Sequence, residues 1–165
     1  MRDIQVLLAD TKSAMNDFIG VPFNVFRNDP NWVAPLYVER REHLDPKKNP
    51  YFRHADVALF VAYRDNRPVG RISAQVDYLR LAHYRDKTGL FGFLDFLDES
   101  AVSSALIEAS ETWLKQRGMQ NVQGPFSFSI NDETGLLIEG FDRPPCIMMG
   151  HALPYMAKHL EAQGY

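Results

Sequence analysis

The sequence predicts a mixed α/β (α+β) domain whose sheet is mostly antiparallel and carries helices on both faces. Three observations predict it. First, the apolar run Val57 to Tyr63 leads through the turn pair Asp65-Asn66 into an alternating run, Gly70 to Asp77. Strands joined that tightly must lie antiparallel. Second, the apolar run Leu90 to Leu97 is linked by an amphipathic segment to a short run, Asn121 to Gln123. A helix between two strands is the connection that parallel neighbours need. Third, 165 residues that are 45% hydrophobic and 24% charged suit one globular unit. A chain of that length buries roughly two thirds of its unfolded surface.

The elements follow in chain order. Ile4 to Leu8 has the length of a first strand. Asp10, Thr11 and Ser13 offer N-cap oxygens to a helix whose stripe is Ala14, Phe18 and Ile19. Pro22 interrupts that helix, which predicts two short helices rather than one. Asn28 to Asn31 reads as a turn. Pro35 suits the first position of a helix over Leu36 to Leu44, and Pro46 stops it. Asp45 to Pro50 reads as an exposed loop. In the alternating strand, Gly70, Ile72, Ala74 and Val76 share one face, predicted buried; Arg71, Ser73, Gln75 and Asp77 share the other.

Tyr78 to Gly89 reads as a polar connection. Gly92 inside the next strand marks a bulge or a close backbone approach. Ala101, Val102, Ala105, Leu106, Ala109, Trp113 and Leu114 recur at helical spacing, and Lys115, Arg117 and Gly118 end that helix. Residues 124–150 are rich in Gly, Pro and aromatics, too apolar for a plain solvated loop, and are predicted to pack down and line a cleft. A last helix is predicted over Leu153 to Gln163. The order is β-α-α-β-β-β-α-β-loop-α.

Charge and composition narrow the function classes. A net charge of −3 gives no overall field for nucleic acid. The pairs Arg40-Arg41 and Lys47-Lys48 are diluted by Glu39, Glu42 and Asp45 and read as a solvated face. The N-terminal apolar run, Val6 to Ala9, is too short for a signal peptide. No window approaches the roughly 18 apolar residues of a membrane span. The expectation is a soluble, cytoplasmic protein, with a peripheral membrane contact left open. The five histidines are scattered without metal-ligand spacing, and no metal site is predicted. Cys146, the one cysteine, reads as a small buried hydrophobe in its Pro-Pro-Cys-Ile setting. His151 reads as an ordinary surface or core residue.

The predicted order resembles the GNAT N-acyltransferase fold, and local sequence carries the resemblance further. VPFNVFRNDPNWVAPL, REHLDPKKNPYF, RPVGRISAQVD, GLFGFLDFLDE, GPFSFSINDETGLLIEGFDRPP and PYMAKHLEAQGY resemble a bacterial subgroup, the YghO-like or bacterial ceramide-synthase-like proteins. The resemblance covers about residues 16 to 165. It implies an N-acyltransferase that uses acyl-CoA or acetyl-CoA as co-substrate and a small-molecule or lipid amine, including a sphingoid-type amine, as acceptor. It also implies a longer protein, of which residues 1–165 form one N-terminal GNAT-like domain; a homodimer that supplies the missing strand is the alternative.

The resemblance also assigns candidate residues. Backbone groups of Phe93, Leu94 and Asp95 on the Leu90 to Leu97 strand would hold the pantetheine arm, with Asn131 nearby. Asp132 or Glu133, in the turn after Gly124-Pro125, would act as general base for the amine, and Glu139 is a further candidate. Tyr155, at the start of the last helix, would protonate the departing thiolate. GNAT enzymes hold the CoA pyrophosphate at a helix start rich in glycine. The matching segment here, Leu97 to Ser103, contains no glycine and no basic residue, while Asp98 and Glu99 would repel a phosphate. The competing expectation is therefore a non-catalytic GNAT-like domain that binds a ligand or packs on a second domain. Phe126, Phe128, Phe141, Ile147, Met148 and Met149 would line an acyl-chain channel or simply form core.

Overall fold

A computed structural model describes residues 4–165. The strands are β1 (Gln5–Leu8), β2 (Ala55–Arg64), β3 (Arg67–Asp77), β4 (Thr88–Phe96) and β5 (Asn121–Gln123). They form one sheet in sequence order. The first four are antiparallel neighbours, and β5 runs parallel to β4. The helices are α1 (Lys12–Val25), α2 (Tyr37–His43), α3 (Tyr78–Tyr84), α4 (Ser100–Gln116) and α5 (Tyr155–Glu161). A small ladder, β6 (Phe126–Ser127) with β7 (Glu133–Thr134), stands apart from the main sheet. The predicted mixed sheet and β4–α4–β5 crossover are both present.

The local chemistry explains most boundaries. Asp65 and Asn66 carry φ of 48° and 60°, the left-handed pair that lets a two-residue turn follow the strand twist. Thr11 caps α1 by accepting from the Ala14 N–H at 3.1 Å. Gly118, at φ 79°, ends α4 where a side chain would be strained. α4 covers one face of the sheet. There a Cβ on Gly70 would meet Val102 and Leu106, which is why β3 needs glycine at that point.

Four expectations need correction. α1 is one helix, with Pro22 inside it. A proline at 22 removes the N–H that would bond the Phe18 carbonyl. Here the Arg71 guanidinium donates to that carbonyl from β3 at 3.1 Å, so the freed acceptor is satisfied and the helix continues. Second, both faces of β3 are buried, since Arg71, Ser73 and Gln75 are 6%, 0% and 0% exposed. α1 and residues 126–128 cover the face that sequence alternation assigned to solvent. Third, the Tyr78 to Gly89 connection contains α3, capped by Asp77 through the Leu79 and Arg80 N–H groups. None of its residues is buried, so it leaves no apolar period to read. Fourth, Cys146 is exposed, on an open turn. Among the described residues no helix is long and apolar enough to cross a membrane.

Candidate active site

The site begins at an irregularity in β4. Arg71 on β3 faces Asp95, and Ser73 faces Gly92, so β4 carries one more residue than its partner between these pairs. The surplus is a bulge at Phe93-Leu94, with Phe93 held at φ 45°. Bulges re-aim side chains, and this one points the Phe93 ring between two guanidinium groups. Arg71 lies 5.5 Å and Arg40 5.4 Å from the ring centre.

β4 and β5 part beside the bulge. Their ladder spans Thr88–Asn121, Gly89–Val122 and Leu90–Gln123 and then stops. After Gly124 the chain leaves the sheet plane and crosses over the face of β3 and β4. Gln75 holds this crossing by donating to the Phe126 carbonyl at 2.7 Å and to the Phe128 carbonyl at 3.3 Å. The Phe93 N–H donates to Ser127 Oγ at 3.0 Å. A Cβ on Gly92 would lie 1.7 Å from the Phe126 oxygen, so only glycine permits this approach.

Between α1, α2, β3, β4, β7 and residues 145–151 lies a pocket of about 80 Å³. Its polar lining is Arg40, Arg71, Asp95, Glu133 and His151. Its mouth is apolar, with Val33, Pro35, Pro145 and Met149. Arg71 binds Asp95 through Nε at 2.7 Å, and burial pushes its guanidinium pKa down while Asp95 pulls it back up. Arg40 donates to Glu133 Oε1 at 2.8 Å. The basic pair Arg40-Arg41 is thus split in role: Arg40 is buried in this pocket, contrary to the solvated-face expectation, while Arg41 is exposed. His151 Nε2 lies 2.8 Å from Asp29 Oδ2, and the imidazole is 4% exposed. Burial opposes ionisation of Asp29, but His151 and the Asn31 N–H outweigh it and lower its pKa.

The sequence candidates fall into three groups. Asp95 and Glu133 meet in the pocket. Phe93 and Leu94 form the bulge above it, both buried, with the Phe93 N–H already engaged by Ser127. Asp132 and Asn131 lie in the neighbouring turn. Asp132 accepts from the Ser129 N–H and hydroxyl and approaches His43 Nε2 at 3.5 Å. Burial works against its charge, yet His43 and Ser129 prevail and hold its carboxyl down at about 2. A carboxylate so weakly basic is poorly matched to a general base near neutral pH. Asn131 is exposed with its N–H on Ser129 Oγ. Glu139 stands apart on an exposed loop. Tyr155 sits across the end of β4, its hydroxyl donating to the Phe96 carbonyl. Burial, then Asp98 and Asp95, push its pKa well above the usual tyrosine value.

The start of α4 does not fit a pyrophosphate. Asp98 is paired with His159 at 2.8 Å and Glu99 with Arg64, and both carboxylates stand where the phosphates would approach. Of the proposed channel residues, Phe128 is buried in a ring cluster with Tyr51, Phe52 and Phe93, so it is core. Ile147, Met148 and Met149 are 92%, 54% and 60% exposed. Sequence reading missed Arg40, Arg71, Asp29 and His151 as site residues. Arg71 stands on the polar face of the alternating strand, which carries no signal that it would be buried.

The sequence has relatives among known proteins. No family model matches the chain. Protein YghO of Escherichia coli is 47% identical over 154 residues, covering 93% of this chain and 39% of that protein. A bacterial ceramide synthase of Caulobacter vibrioides is 44% identical over 164 residues, covering 99% of this chain and 43% of that protein. The chain therefore spans about two fifths of the length of these relatives. Among solved structures, a probable acetyltransferase from Staphylococcus epidermidis superposes with a TM-score of 0.50 at 13% identity, over 74% of this chain and 71% of that one. At that identity the likeness speaks for the fold alone. The chain is a homologue of YghO and of bacterial ceramide synthase, built on the GNAT acetyltransferase fold.

Proposed function

We infer that this chain is the acceptor-binding part of an N-acyltransferase, which moves an acyl group from a thioester such as acyl-CoA to a primary amine on a lipid or sphingoid-type molecule. The observation that carries the reading is the charged pocket next to the β4 bulge, where Arg40, Arg71, Asp95, Glu133 and His151 meet. The pocket presents carboxylates to an amine. The pocket admits a polar head and little more, while its rim is greasy. Val33 and Met149 are both 60% exposed at the mouth, with Ile147 close by in sequence. Such a rim suits a hydrocarbon tail that stays outside the pocket. The sequence similarity to a bacterial ceramide synthase supports the same acceptor class.

The chemistry is direct attack. The neutral amine adds to the thioester carbonyl, the C–N bond forms, the C–S bond breaks, and the thiolate takes a proton. Tyr155, kept protonated by its burial, stands at the end of β4 to supply that proton. Glu133 and Asp95 orient the ammonium. Asp132, with its depressed pKa, and the distant Glu139 take supporting roles at most.

The acidic turn Asp98-Glu99 favours a second reading, in which this domain binds an acceptor or packs on a second domain and the donor is held elsewhere. One assay separates them. The protein at its full natural length is incubated with palmitoyl-CoA and sphinganine, and amide is followed by mass spectrometry. Tyr155→Phe is expected to keep the fold and lose turnover. Unchanged turnover removes Tyr155 from the mechanism. Turnover by the full-length protein but not by residues 1–165 alone supports the second reading for this chain, and absence of any amide product refutes the first.

A further inference from the structure

We propose that His151, backed by Asp29, is the proton acceptor that converts the incoming ammonium to the nucleophilic amine. The inference rests on the acyltransferase reading and adds to it the group that the sequence candidates leave vacant. Asp132 is too acidic for the task, Glu139 lies on another surface, and Glu133 is committed to Arg40.

The geometry of the pair makes the case. The His151 side chain is 96% buried on the wall of the pocket, while Asp29 lies behind it and does not line the pocket. Asp29 is ionised, and a carboxylate can only accept hydrogen bonds. Nε2 therefore carries a hydrogen at the 2.8 Å contact, and in the neutral ring the lone pair is on Nδ1. Nδ1 is buried and has no hydrogen-bond partner among the described residues. A buried polar atom without a partner destabilises the fold, which singles this nitrogen out. That atom belongs to a side chain that lines the candidate acceptor pocket described above. The carboxylate plays the orienting part that a buried aspartate plays behind a catalytic histidine in general.

Charge fits the same assignment. From the elements packed around it, His151 faces Arg40 of α2, Arg71 of β3, Asp95 of β4, Glu133 of β7, and Asp29 beyond α1. The two guanidinium groups offset two carboxylates, and Asp29 adds one further negative charge behind the ring. A single ammonium balances it. In atoms, the ammonium N–H proton passes to Nδ1, the amine lone pair forms the C–N bond to the thioester carbon, the C–S pair leaves with sulfur, Tyr155 gives the thiolate its proton, and the second N–H proton restores the tyrosine hydroxyl. The imidazolium returns its proton to solvent. The net products are an amide, a thiol and one proton.

The test joins structure and turnover in the full-length protein. Nitrogen-15 NMR of the His151 ring at pH 8 is expected to show a protonated Nε2 and a bare Nδ1. A ring protonated on Nδ1 overturns the proposal. With palmitoyl-CoA and sphinganine, His151→Gln is expected to lose at least about 100-fold in kcat, with KM for the amine little changed. Asp29→Asn, which frees the tautomer, is expected to lose kcat and to mix the two ring forms in the NMR spectrum. Should His151→Gln lose its fold, His151→Ala with added imidazole replaces it, and recovery of turnover is expected. A wild-type enzyme that works while His151→Gln retains kcat within about threefold sinks the base and leaves the acyltransferase reading standing. A wild-type protein that makes no amide with this pair refutes both.

Discussion

Removing Arg71 tests the link between a proline in α1 and the charged centre of the sheet. Arg71 is 6% exposed and has two obligations, the Asp95 carboxylate and the Phe18 carbonyl that Pro22 leaves without its helical donor. Arg71→Met strands both. Breaking a buried ion pair by deleting one partner costs about 3–5 kcal/mol, and an unanswered buried carbonyl adds about 1–3 kcal/mol. Two second-site changes separate these terms. Asp95→Leu in the Arg71→Met background removes the uncompensated carboxylate and is expected to recover most of the first term. Pro22→Ala restores an N–H that closes the bond to Phe18, and is expected to recover about 1–2 kcal/mol more in Arg71→Met than in the wild type. Urea unfolding with a shared m value reads these differences. If Pro22→Ala changes stability equally in both backgrounds, within about 0.5 kcal/mol, Arg71 is not what keeps α1 intact.

Two further outcomes follow from the geometry. Gly92→Ala places a methyl 1.7 Å from the Phe126 oxygen, so the crossing segment must lift; a loss of about 1–3 kcal/mol is expected in the same unfolding assay. Asp132 has its pKa depressed from 3.8 to about 2. A depressed folded pKa contributes stability that is complete above the unfolded value near 4 and disappears as pH falls towards 2. Wild type is thus expected to lose up to about 2 kcal/mol relative to Asp132→Asn across that window. Equal pH dependence of the two proteins between pH 4 and 2 would show that His43 and Ser129 do not hold the charge.

Local chemistry was legible where it acts over a few residues. The Asp65-Asn66 turn, the α4 period ending at Gly118, and the short strand Asn121–Gln123 all follow from near neighbours in sequence. What escaped depends on partners far apart. Pro22 was read as a helix break because its compensating donor stands on another element. Arg40 was read as solvated because Glu133, its partner, is 93 residues away. The Asp29–His151 pair spans 122 residues, and no spacing rule connects them. Asp95 and Glu133 were singled out in sequence, yet only folding sets them in one pocket. α3 escaped for the opposite reason, since a helix with no buried face has no periodicity to detect.

The crossing at Phe126–Phe128 has a consequence for how such proteins diversify. Gln75 and Gly92 tether the entry to the 129–150 excursion, and the buried Ala152 and Met156 tether its exit. Between those anchors the span from Ile138 to Met149 is mostly open to solvent and touches little that the sheet relies on. Lineages can therefore rewrite its tip, lengthening it or swapping one greasy residue for another, while the charged chamber beneath keeps its dimensions. Under the proposed acceptor reading, preference for one tail over another can drift on such a scaffold while the head-group chemistry stays put.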